Sequence, residues 1–200
     1  MLNSEAVCKY LKLGDTHPHT LTSRQAVADP WGPPINLTTV NSPYVEAYPS
    51  VSGDGLTLYF SDYWYRPDRP GGQGGRDLWM TNRASTADPW GTPANLGPVV
   101  NSSADEQTPT ISHDGLTLVF SSERAGGRGP DNLWMSTRPS TKQDWGLPVN
   151  LGSLVNSSGP DYECCLSYDG LALLFISERV GGLGGSDAYV TIRSNINDPW

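Results

Sequence analysis

The sequence predicts an all-β fold made of repeated four-stranded units. Three observations carry that prediction. A stretch of text recurs about every 55 residues, Asp-Gly pairs sit between β-type runs, and 22 glycines and 17 prolines punctuate 200 residues. Breakers at that density leave no room for long helices. No apolar run approaches the ~18–20 residues that a membrane helix needs.

The repeat is explicit. Trp31, Trp90, Trp145 and Trp200 stand 59, 55 and 55 residues apart, within DPWGPPINL, DPWGTPANL, DWGLPVNL and a final DPW. A second text follows, from Asn41, Asn101 and Asn156. A third, rich in glycine, begins at Arg69, Arg124 and Arg179. Each unit reads as a first strand (48–52, 108–112, 164–167) and a turn at Asp54-Gly55, Asp114-Gly115 or Asp169-Gly170. Asp-Gly between β-type runs is a hairpin signal, because glycine accepts positive φ there. The second strand spans 57–61, 117–122 and 172–177, and the third 77–81, 132–137 and 187–192. The fourth runs through the W-G-x-P-x-N-L text. Four antiparallel strands in a unit of this length make the blade of a β-propeller.

The expected organisation is a tail at 1–19, a partial blade at 20–40, blades at 41–97 and 98–152, and a blade lacking its outer strand at 153–200. That is about 3.5 blades, fewer than the roughly four to eight of a closed ring. The ring would be completed by further blades of a longer chain or by a second copy. In a second copy, the Trp31–Leu37 text could supply the outer strand missing after Trp200.

The S-x-D-G-L-x-L-x-F-S text, the R-x-G-G-x-G-G-x-D-L-W loop and the N-L-G end resemble the WD-like propeller repeats of the TolB type, over about residues 20–200. The resemblance implies a radial, most often six-bladed ring and an extracytoplasmic location. Its implication for function is broad, since such repeats serve many roles.

Comparing the copies separates fold from function. A position with the same chemistry in every blade belongs to the blade, whereas a ligand site needs an asymmetric set. Six of the seven tryptophans repeat, Trp64 being the exception. Seven of ten arginines repeat, leaving Arg66, Arg76 and Arg128, which make no basic stripe. With a net charge of −8, the clustered positive charge that nucleic-acid binding requires is missing. Most acids repeat too, including a third-strand set read as Asp77, Asp131 and Asp187.

Two features are candidate sites. Glu46, Glu106 and Asp161 precede the innermost strand, on the face where the resemblance places the mouth of the central channel. A ring of carboxylates there could bind Ca²⁺, which takes six to eight oxygens, or attract a basic peptide. Alternatively each caps its own loop. The second feature is an insertion: Phe60 to Arg69 is nine residues, where the other copies have four. It carries Tyr63, Trp64, Tyr65 and Arg66, aromatic and Arg types common at binding hot spots.

Catalytic signatures are absent. There is no G-x-S-x-G elbow or P-loop, and His113 occupies a variable turn position. His17 and His19 flank Pro18 in the unrepeated tail with no spaced partner ligands. Three cysteines make no disulfide framework, and Cys164 and Cys165 read as small strand residues. Sequons at Asn101 and Asn156 fall on repeat positions and read as coincidental. The expected role is a non-catalytic recognition module for protein, peptide or glycan. A carbohydrate-active or hydrolase-gating propeller is the first alternative, and a structural spacer the second.

Overall fold

The computed structural model describes residues 20–21, 31–63 and 69–200. They form a nearly all-β chain of successive antiparallel sheets, the blades of a propeller. A two-stranded piece comes first, β1 (Thr20–Leu21) with β2 (Ile35–Asn36). The first full blade is β3 (Glu46–Val51), β4 (Thr57–Asp62), β5 (Leu78–Asn82) and β6 (Ala94–Asn95). One helical turn, α1 (Gly97–Val100), leads to the second blade. That blade is β7 (Glu106–Ile111), β8 (Thr117–Ser122), β9 (Asn132–Thr137) and β10 (Val149–Asn150). The third has β11 (Asp161–Leu166), β12 (Ala172–Ser177) and β13 (Asp187–Ile192). Strand order is sequential in all three.

The Asp-Gly turns form as predicted, with Gly55, Gly115 and Gly170 at φ 72°, 72° and 68°. Asp54 accepts from Ser52 Oγ at 2.6 Å and Leu56 N at 2.9 Å. The Ser52 bond holds this carboxyl below its ordinary range, with the Leu56 amide adding to it.

The inner strands begin two or three residues earlier than the sequence suggests, because their first residue is an anchored acid. Each is bulged after its second residue, between Ala47 and Ser50, Gln107 and Thr110, and Tyr162 and Cys165. The bulge puts Tyr48, Thr108 and Glu163 at φ 54°, 53° and 52°. Left-handed backbone at non-glycine residues costs of order 1–3 kcal/mol, so the surrounding blade must enforce it.

The core lies in the seams. The second strand of one blade packs against the first strand of the next, β4 on β7 and β8 on β11. The second strands β4 and β8 are therefore covered on both faces and read as unbroken apolar runs, such as Leu118-Val119-Phe120. One buried cluster joins Tyr59 and Leu78 to Ile111, Phe120 and Trp145 across the first seam. Another joins Val119 and Leu133 to Cys164, Leu173 and Phe175 across the second. Burying each large apolar side chain contributes roughly 1.5–3 kcal/mol.

The repeated tryptophans and arginines meet. Arg83, Arg138 and Arg193 lie over Trp90, Trp145 and Trp200 at 4.4, 4.3 and 4.4 Å. The sequon asparagines are internal clamps. Asn156 Oδ1 accepts from Leu133 N at 2.8 Å and its Nδ2 donates to Leu133 O at 3.0 Å, and Asn101 repeats this on Leu78.

One sequence reading is corrected. Cys165 is disulfide-bonded, whereas Cys164 is free and buried. Neighbours on a strand point to opposite faces, so one adjacent cysteine enters the core while the other is available for bonding. Burial pushes the Cys164 thiol up to about 12. His113 lies in its turn, where its ring stands 4.0 Å from that of Tyr168 and its backbone and ring fill the space over Gly53.

Candidate functional site

The connection entering each inner strand and the glycine-rich loop emerge together on one face, here called the loop face. They are tied across the seams: Glu106 N donates to Arg76 O at 2.8 Å, and Asp161 N to Asp131 O at 2.9 Å.

Glu46, Glu106 and Asp161 lie at the root of this face, and all three are buried. Glu106 accepts from Ser102 N at 2.7 Å, Ser122 Oγ at 2.7 Å and Arg124 Nη2 at 3.0 Å. Asp161 accepts from Ser157 N at 2.6 Å, Ser177 Oγ at 2.5 Å and Arg179 Nη2 at 2.9 Å. Glu46 pairs with Arg69 at 2.6 Å and accepts from Ser42 N at 3.2 Å. The arginines also bridge to Val40 O at 2.8 Å, to Val100 O, and to Val155 O at 2.6 Å. Each carboxylate thus fastens its own entry loop to its own blade. Among the described residues no three His, Cys, Asp or Glu side chains group to hold a metal ion. The arginine beside each acid already supplies the positive charge that Ca²⁺ would bring.

The first blade departs from this joint. Asp62 stands where the others have Ser122 and Ser177, opposite Glu46 in register. Trp79 Nε1 donates to its Oδ2 at 2.8 Å, while its Oδ1 is buried without a hydrogen-bond partner. Burial pushes this carboxyl up to about 6, against the Trp79 bond and the Arg69 charge, with Asp77 adding to the rise.

Asp62 opens the insertion. Tyr63 is half-buried, its ring 5.9 Å from that of Tyr48 at 53°. Trp64, Tyr65 and Arg66 lie outside the described residues. The Tyr48 hydroxyl is raised by burial first, then by Tyr63 and by Glu163 of the third blade, while Arg76 opposes. The Glu163 charge of the third blade thus acts on the Tyr48 hydroxyl of the first across the face.

Arg76 is the centre that sequence reasoning passed over. Only 4% exposed, it reaches across the first seam. Its Nη2 meets Asp105 Oδ2 at 2.6 Å, its Nε the same oxygen at 3.0 Å, and its Nη1 donates to Gln107 Oε1. Glu123 Oε1 lies 3.4 Å from Nη2. Gln107 Nε2 continues to Asp131 at 3.4 Å. In the third blade the Tyr162 hydroxyl donates to Glu178 at 2.9 Å and sits 3.0 Å from Ser186 Oγ. Burial raises the carboxyls of Glu123 and Asp131, with Asp105 adding to both and Arg76 opposing in both.

These groups are asymmetric between blades. Arg76, Asp131 and Ser186 share one position; Ala47, Gln107 and Tyr162 share another; Tyr48, Thr108 and Glu163 a third. The third-strand set differs from the sequence reading by one residue in the second blade. Asn132, not Asp131, matches Asp77 and Asp187, and takes the same loop bond: Arg128 N to Asn132 Oδ1 at 2.6 Å, Gln73 N to Asp77 Oδ2 at 2.7 Å. The signal for Arg76 was its place among the unrepeated arginines.

No family model and no curated protein matches this chain. Solved structures do. A protein designated TolB from Agrobacterium tumefaciens superposes with a TM-score of 0.53 at 16% identity, over 80% of this chain and 49% of its own. A family-43 glycoside hydrolase (subfamily 12) retrieved from capybara gut metagenome gives 0.53 at 14% identity, over 86% of this chain and 35% of its own. A thermostable family-43 glycoside hydrolase gives 0.50 at 13% identity, over 86% of this chain and 61% of its own. The chain therefore spans less than two thirds of the length of each. At these identities the likeness establishes the propeller fold, common to TolB and glycoside hydrolases.

Proposed function

We propose that this chain is a non-catalytic recognition module that binds a protein, peptide or glycan on its loop face. The observation that carries this reading is the asymmetric polar set around Arg76. Everything that repeats is consumed by the blade, including Glu46, Glu106 and Asp161. What differs between blades gathers on one face: Arg76, Gln107 and Asp131 beside Tyr48 and Tyr63, with Tyr162 and Glu163 beyond. A buried guanidinium held by Asp105 and Gln107 costs little reorganisation on binding, which is the advantage of a preorganised surface. The insertion that follows Tyr63 in the sequence carries Trp64, Tyr65 and Arg66, aromatic and Arg types common at binding hot spots.

An extracytoplasmic location accompanies this reading. The support is the disulfide at Cys165, since disulfides persist in oxidising compartments. Among the described residues no helix is long and apolar enough to cross a membrane.

One observation favours the enzymatic alternative. Burial raises the carboxyls of both Glu123 and Asp131, and the Asp131 charge raises Glu123 further. Glycoside hydrolysis uses a carboxyl pair with one member kept protonated. The test is a screen of peptide and oligosaccharide arrays, followed by product analysis of any ligand found. Binding without turnover, weakened by Arg76→Met and by Trp64→Ala, supports the module. Turnover lost in Glu123→Gln or Asp131→Asn supports the enzyme.

A further inference from the structure

The Asp-Gly turns lie on the face opposite the loop face. A cleft of about 580 Å³ opens there between the first and second blades. Both of its walls belong to complete four-stranded blades. Its volume falls within the range of small-ligand sites.

Arg83 stands on the first-blade wall and Arg138 on the second. Each guanidinium is fixed by its own blade. Arg83 Nε donates to Gly55 O at 2.8 Å and its Nη1 to Thr86 O at 3.0 Å. Arg138 Nε donates to Gly115 O at 2.8 Å, and its Nη2 to the Tyr59 hydroxyl at 3.3 Å. What both lack is a carboxylate. The loop-face arginines Arg69, Arg76, Arg124 and Arg179 each pair with an acid. Arg83 and Arg138 form no ion pair among the described residues. Tyr59 does not stand in for one. Burial raises its hydroxyl above the ordinary range, against the pull of Arg138, so it stays neutral.

The other polar groups of the cleft have spent acceptors and spare donors. Asp54 Oδ1 accepts from Ser52 Oγ and Leu56 N, and Asp114 Oδ1 from Ser112 Oγ and Leu116 N. Asn82 Oδ1 accepts from Thr57 Oγ1 at 2.9 Å, which leaves its Nδ2 to donate. Arg138 Nη1 and the Thr141 hydroxyl have no acceptor among the described residues. The set is particular to this seam. In the next one Val119 replaces Tyr59, Thr137 replaces Asn82 and Ile196 replaces Thr141.

We propose that this cleft binds a carboxylate, for which Arg83 and Arg138 supply the charge and Asn82 and Thr141 further hydrogen bonds. Guanidinium groups match carboxylates in bidentate geometry. Asp54 and Asp114, both exposed, balance the two arginines, so the cleft suits one negative charge better than two. The carboxylate is that of a small acid or of a peptide C-terminus. This inference stands independently of the recognition reading, which concerns the other face.

The test is an amide-shift NMR titration of the 200-residue chain with acetate, with acetyl-trialanine, with the same peptide amidated, and with inorganic phosphate. Arg138→Met removes one guanidinium. Thr141→Ile places the third-blade residue at an exposed position and leaves the fold intact, which circular dichroism checks. The expected result is saturable shifts at His113, Gly115 and Thr141 with both carboxylates, none with the amidated peptide, and a weaker response to phosphate. Affinity should fall about tenfold or more in each variant. A tighter fit for the peptide assigns the carboxylate to a chain end; otherwise it belongs to a small acid. No saturable shift, equal binding of the amidated peptide, tighter binding of phosphate, or an affinity unchanged in Thr141→Ile would overturn the proposal.

Discussion

Arg76 Nη2 of the first blade closes on Asp105 Oδ2 of the second at 2.6 Å, with Gln107 and Glu123 around the same guanidinium. The guanidinium meets these three groups of the next blade, and its loss would leave Asp105, Glu123 and Asp131 facing each other. Arg76→Ala should lower unfolding stability by about 2–4 kcal/mol, on the scale of breaking a buried pair. Adding Asp105→Ala should restore part of that loss. A urea-denaturation double-mutant cycle checks it. Strict additivity would mean that the two residues do not act as a pair.

Asp62 gives a pH prediction. Its folded pKa, about 6, lies above the ordinary 3.8, so folding takes up a proton between these values. The charged form penalises the fold above pH 6, by roughly 3 kcal/mol for a shift of this size. That penalty is relieved as pH falls toward 4. Asp62→Ser supplies the hydroxyl that the other blades use. It should raise stability most at pH 8 and least at pH 4. Denaturant midpoints across that range decide it, and an Asp62→Ser gain that does not vary with pH would refute the assignment.

Asn156 is 2% exposed and satisfies both backbone groups of Leu133. Asn156→Ala should therefore cost about 1–3 kcal/mol, since the buried Leu133 N–H is left unpaired while Leu133 O keeps its bond from Leu151 N. Guanidinium unfolding measures this. A loss within a few tenths of a kcal/mol would show the clamp to be dispensable.

Gly129 tests the seam. Gly129→Ala forces a methyl against Gly159 O and should destabilise by about 1–3 kcal/mol. Gly185→Ala, which meets nothing within 4 Å, should be neutral in a single copy. Equal melting temperatures for these two variants would contradict the packing described.

The blade was legible in the sequence because its devices are local. An Asp-Gly turn, an unbroken second strand and a glycine loop each declare themselves within a few residues. The role of Glu46, Glu106 and Asp161 was not, because a carboxylate at a fixed position reads alike whether free or paired. Only the fold brings Arg69 back to Glu46 from 23 residues away. Asp131 was misread because Asp and Asn accept the same loop bond, so Asn132 concealed the true register. Cys165 defeated counting: parity says nothing about which cysteine of an adjacent pair faces outward.

The most direct measurement is a titration of array-selected ligand, peptide or oligosaccharide, followed by thermal shift and by product analysis, on wild type, Arg76→Met and a Tyr168→Ala control on the opposite face. The account predicts that the ligand raises the melting temperature of wild type and of Tyr168→Ala, is recovered unchanged, and has little effect on Arg76→Met. A ligand that is consumed, or that stabilises Arg76→Met as strongly as wild type, would contradict it.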